Sequence, residues 1–103
     1  MSENNLEFGR IALDLYSEAL DQKYLFIDGY LSRFTFKNVA AIAIKIEEYE
    51  WAESFTNEYH PHLRKEDRNS SVHFNKALIA YNKQDYDTAL LSLQFVGAHF
   101  IIN

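Results

Sequence analysis

The sequence predicts an all-α fold of about five helices arranged in antiparallel hairpins, and three observations predict it. Glycine and proline are scarce, three and one in 103 residues, whereas an all-β chain turns every ~8–12 residues. Apolar residues recur at three- and four-residue spacings along most of the chain. The phrase acidic–Tyr–acidic–any–Ala is written twice, as EYEWA from Glu48 to Ala52 and as DYDTA from Asp85 to Ala89, 37 residues apart.

Between Leu6 and about Gln22, Phe8, Ile11, Ala12, Leu15, Tyr16, Ala19 and Leu20 supply an apolar face, and Glu7, Asp14, Ser17, Glu18 and Asp21 fill the gaps. This is an amphipathic helix. The stretch KYLFIDGYLSR breaks that period, carries an Asp-Gly turn signal and reads as a connector laid against the body. A second helix is expected from an N-cap at Thr35 to about Glu47, with Val39, Ala40, Ile42, Ala43 and Ile46 inward. A third runs from Tyr49 to about His60 with Trp51, Ala52, Phe55 and Tyr59 inward. It stops there because Pro61 disfavours helical geometry at the residue before it.

Residues 61–68 read as the longest polar loop. A fourth helix is expected to follow, capped by Asn69 or Ser70, with Phe74, Ala77, Leu78 and Tyr81 on one face. A fifth runs from Tyr86 to about Phe95. The junctions at Glu48 and Asp85 are too short for a crossover, so each joins an antiparallel pair. In the repeated phrase, alanine permits close helix approach, tyrosine fills the turn, and the acidic residue favours the positive N-terminus of the next helix.

Sliding the chain by 37 residues also pairs Asn38 with Asn75, Ala40 with Ala77, Ile42 with Ile79 and Ala43 with Ala80. The stretch FNKALIAYNKQDYDTALLSL resembles a tetratricopeptide repeat in Phe74, Tyr81, Tyr86, Ala89 and Leu93. It departs where Leu78 and Ala41 stand in place of a small glycine and where the glycine before the turn is missing. The chain is also similar to bacterial helical-repeat proteins bearing stretches like DGYLSRFTFKN. The resemblance covers roughly residues 8–96 and implies one domain over 1–103, a right-handed α-solenoid of about two and a half repeats and a fragment of a longer array. It further implies a non-catalytic scaffold without cofactor that binds a protein or peptide on a concave face including Asn38, Ile42, Lys45, Asn75, Ile79 and Asn82. Ile42 and Ile79 stand where a polar clamp for a C-terminal carboxylate would be wanted. The alternative function is a structural segment of a larger solenoid whose partner is its own neighbouring repeats.

With a formal charge of −5 and no basic cluster beyond LRKEDR, a nucleic-acid partner is not expected. The absence of cysteine excludes thiolate chemistry and disulfides. No stretch of the sequence has the apolar length of a membrane span, and the start lacks a basic segment followed by an apolar run; a cytoplasmic location is expected. The carboxylates Glu47, Glu48, Glu50, Glu53 and Glu58 read as a solvated face rather than acid–base pairs. His60, His62 and His73 lack the helical spacing of a metal motif, and His99 reads as a tail residue. Ser70 and Ser71 beside His73 read as caps rather than nucleophiles. Trp51 is expected to pack on the adjoining hairpin. The tail FVGAHFIIN is apolar, and Phe95, Phe100, Ile101 and Ile102 are expected to join two copies as a homodimer.

Overall fold

The computed structural model describes residues 3–96. Its fold is mainly helical, with five α-helices among the described residues: α1 (Glu3–Asp21), α2 (Arg33–Lys45), α3 (Tyr49–Tyr59), α4 (Lys65–Asn82) and α5 (Tyr86–Leu93). The connector after α1 folds into a small antiparallel hairpin, β1 (Phe26–Ile27) with β2 (Tyr30–Leu31). Asp28 and Gly29 form its turn with φ of 54° and 84°. Two consecutive left-handed residues suit the twist of a two-residue hairpin, which explains the Asp-Gly pair. Leu31 at the end of β2 is buried and fastens the hairpin to the core.

Helix α2 lies at the centre, packed on α1, α3 and α4, while α4 also packs on α3 and α5. Phe36, Val39, Ala40, Ala43 and Ile44 of α2 meet Leu13 and Leu20 of α1, Ala52 and Phe55 of α3, and Ile79 of α4 in one cluster. At the α1–α2 crossing Gly9 faces the side chain of Ile46, so close that a Cβ there would force Ile46 aside.

The two α-hairpins turn in the same way. Glu47 N–H donates to Ile44 C=O (2.9 Å) and Glu48 N–H to Ala43 C=O (2.8 Å). In the second hairpin Gln84 N–H donates to Tyr81 C=O (3.0 Å) and Asp85 N–H to Ala80 C=O (2.8 Å). This is the Schellman pairing that ends many helices, and it recurs at the 37-residue offset of the repeated phrase. Helix α1 ends likewise, with Lys23 N–H on Leu20 C=O and Tyr24 N–H on Ala19 C=O. The left-handed position is held by Lys23, Glu47 and Gln84, each with φ between 63° and 65°. A side chain there costs roughly 1 kcal/mol that glycine avoids. Glu47→Gly and Gln84→Gly should each therefore raise stability by up to about 1 kcal/mol in thermal denaturation. Glu47→Gly should gain more, because it also removes an anion from the negative end of α2.

Three helix starts differ from expectation, α1 at Glu3 rather than Leu6 among them. Helix α2 begins at Arg33 with Ser32 as N-cap, its hydroxyl accepting from Phe34 N–H at 3.1 Å. Thr35 already lies inside the helix. Helix α4 begins at Lys65, so Asn69 and Ser70 are helical and the expected loop 61–68 shrinks to a 3₁₀ turn, His60–His62, and a short linker. Buried Leu63 anchors that linker, and Arg68 grips its carbonyl through Nε at 3.0 Å. Glu66 and Asp67 sit in the first turn, where acids favour the helix terminus. Asp67 also pairs with Arg33 of α2 at 3.5 Å, an ion pair whose partners are both largely buried. These tertiary contacts start α4 early without any side-chain cap.

Candidate interaction surface

The six residues expected on one concave face do not form one surface. Ile42 and Lys45 line a groove of about 370 Å³ between α1 and α2, shared with Phe8, Gly9, Ala12, Tyr16 and Ile46. Asn38 is exposed on α2. Ile79 is nearly buried and borders a second groove of about 230 Å³ with Glu53, Lys83, Asp85 and Thr88. Asn82 is exposed, and its Nδ2 bonds Leu78 C=O of its own helix at 2.8 Å.

Asn75 is not on a surface at all. It is fully buried at the α3–α4 seam, where its Nδ2 donates to Thr56 Oγ1 at 3.2 Å. The Thr56 hydroxyl in turn donates to Ala52 C=O at 2.8 Å. This polar chain ties α4 to α3 next to the repeated-phrase alanine, so the amide is spent on folding. Ser71 Oγ and Asn75 Oδ1 lie in the interior without a hydrogen-bond partner among the described residues.

Trp51 is half-buried and stacks within its own helix rather than on an adjoining hairpin: its ring lies on Phe55 with centroids 5.3 Å apart and planes 10° from parallel. With Ser17, Leu20, Asp21, Glu58 and Tyr59 it borders a groove of about 260 Å³ between α1 and α3. Burial raises the pKa of the Tyr59 hydroxyl above the ordinary tyrosine value, and the carboxylates of Glu58 and Asp21 add to the effect. The three histidines expected to stay apart from metal chemistry serve different neighbours. His60 Nδ1 faces the carbonyls of Thr56 and Asn57, His62 rests on Phe26 and Tyr59, and His73 Nδ1 meets Asn69 C=O at 2.8 Å. Among the described residues no three His, Asp or Glu side chains gather as a metal site.

Of the residues expected to join two copies, Phe95 is about half exposed and its ring leans on His73 at 4.7 Å. Phe100, Ile101 and Ile102 lie outside the described residues. No helix among the described residues is long and apolar enough to cross a membrane.

Sequence reasoning missed the outward faces of the terminal helices. Helix α1 exposes Phe8, Ile11 and Leu15, and α5 exposes Leu90, Leu91 and Leu93. The signal was legible in α1, whose apolar positions span more than half its circumference, wider than the stripe that one neighbouring helix covers. A third region combines charge and rings: Arg64 lies over Tyr30 at 4.4 Å and Arg33 over Phe34 at 5.0 Å, around a groove of about 270 Å³. Comparison with family models, with curated proteins and with solved structures finds no match to this chain.

Proposed function

We propose that the chain is a non-catalytic helical-repeat scaffold, built as a right-handed α-solenoid, that binds a protein or peptide. The observation that carries this reading is the outward apolar surface of both terminal helices, Phe8, Ile11 and Leu15 on α1 and Leu90, Leu91 and Leu93 on α5. Exposed apolar surface in contiguous patches marks interaction sites. The recurrence of one Schellman turn at the 37-residue offset supports the repeat architecture, and the groove at Ile42 and Lys45 supplies a mixed apolar and charged contact.

The second reading, a segment of a larger solenoid, draws on the same faces, because terminal repeats that end an array ordinarily carry a polar outer surface. Site-specific photo-crosslinking from the source cell separates the outcomes. A photoreactive residue at Asn38 or Lys45 should capture a discrete partner, whereas one at Asn57, exposed on α3, should not. Equal labelling from all three positions would overturn the scaffold reading. Capture at positions 8 and 15 alone is also a discrete partner, on the outer face of α1. Simultaneous capture at both ends, 8 and 15 together with 90 and 93, would favour the solenoid segment.

A further inference from the structure

We infer that the outer face of α1 is a docking site for a basic amphipathic helix, a partner with an apolar stripe bordered by Lys or Arg. The inference rests on the binding-scaffold reading and names the partner chemistry for one of its surfaces. At ~100° per residue, Phe8, Ile11 and Leu15 fall within an arc of about 60°, and they are 70%, 52% and 66% exposed. Together with Ala12, Tyr16, Ala19 and Leu25 they line a groove of about 410 Å³. The buried side of the helix, Leu13 and Leu20, points elsewhere, into the core.

The edge of this stripe is acidic. Glu7, Asp14, Glu18 and Asp21 occupy the adjoining arc of about 60°, and all four are exposed. The one base on α1, Arg10, stands at the far border of this acidic arc, where it is engaged with Glu48 of the first hairpin. Among the described residues none of the four carboxylates has a salt-bridge partner. A bound helix would gain area from the stripe and Coulomb complementarity from the ridge, the latter setting orientation and partner choice.

The exposed apolar faces of the terminal helices do not supply that charge. A second copy of α1 presents the same carboxylates, and α5 carries Asp87 and no Lys or Arg. Residues 97–103 contain no Lys or Arg either. A helix laid along the stripe seats its own ridge of side chains between Phe8, Ile11 and Leu15.

The test is fluorescence anisotropy of the full 103-residue chain with a labelled designed peptide of roughly 18 residues, five turns. The peptide carries Leu at helical spacing along one face and Lys along its edge; a matched peptide carries Glu in place of Lys. The Lys peptide should bind at least about tenfold more tightly than the Glu peptide at low salt, with the gap shrinking as salt is raised. Leu15→Gln, which leaves charge unchanged at an exposed position, should weaken the Lys peptide at least about tenfold. Asp14→Lys with Glu18→Lys should reverse the preference. Equal binding of the two peptides would overturn the inference. So would undiminished binding by Leu15→Gln, the mark of unspecific charge attraction, or sedimentation as a dimer that Ile11→Gln dissolves, which would make a second copy the occupant. Because Asn38 and Lys45 are unchanged throughout, failure here leaves the crosslinking test of the scaffold reading standing by itself.

Discussion

Phe36→Ala is expected to cost about 3–5 kcal/mol, a large fraction of the stability of so small a domain. Phe36 is completely buried in α2, and its ring lies 5.3 Å from that of Phe55 in α3. Phe55 in turn stacks on Trp51 and leans on Tyr59, so the lost ring undermines a run of aromatic contacts along α3. The helices cannot close the gap easily, because α2 is held on three sides by α1, α3 and α4. Urea titration followed by circular dichroism would show the midpoint falling steeply. Phe36→Leu, which keeps most of the volume, should cost far less. An unmoved midpoint in Phe36→Ala would remove α2 from the centre of the core.

Ala52→Leu should destabilise by about 1–3 kcal/mol through overpacking, and Ala89→Leu by less. Both alanines are the last letter of the repeated phrase, and both are buried, Ala52 completely. Their neighbours differ. Helix α3 is backed by α2 and α4, so three added carbons at Ala52 have nowhere to go. Helix α5 is only eight residues long and leaves Leu90, Leu91 and Leu93 in water, so it can ride outward when Ala89 grows. Melting temperatures in the reverse order would contradict this account of the two seams.

The helical hairpins were legible because their cause is local. The phrase at Glu48 and Asp85 sets a turn whose hydrogen bonds all lie within six residues, and periodicity does the rest. What the sequence concealed depends on distant partners. Helix α4 starts at Lys65 because Leu63 is buried and Asp67 reaches Arg33, contacts that a search for Ser or Asn caps cannot detect. Asn75 read as a surface amide because its partner, Thr56, lies 19 residues away on another helix. The repeat itself misled at this position: its equivalent, Asn38, is exposed, so identity in sequence concealed opposite environments. The acidic letter diverges in the same way. Asp85 is short enough for its carboxylate to accept from Thr88 N–H at 3.3 Å, while Glu48, one methylene longer, leaves its helix uncapped and reaches Arg10 of α1 instead.

The half-wet character of α5 also divides the molecule in time. Helices that bury little apolar area and contact few elements open at a fraction of the global free energy. Helix α5 rests on α4 with Ala89 and Ser92, two of its smallest side chains, facing in. Hydrogen exchange is expected to show the amides of α5 opening before those of α2 and α3, because its loss leaves the cluster around Phe36, Val39 and Phe55 in place. Each such opening would expose the inner side of α5 together with the groove beside Ile79, giving the second hairpin a faster exchange than the first.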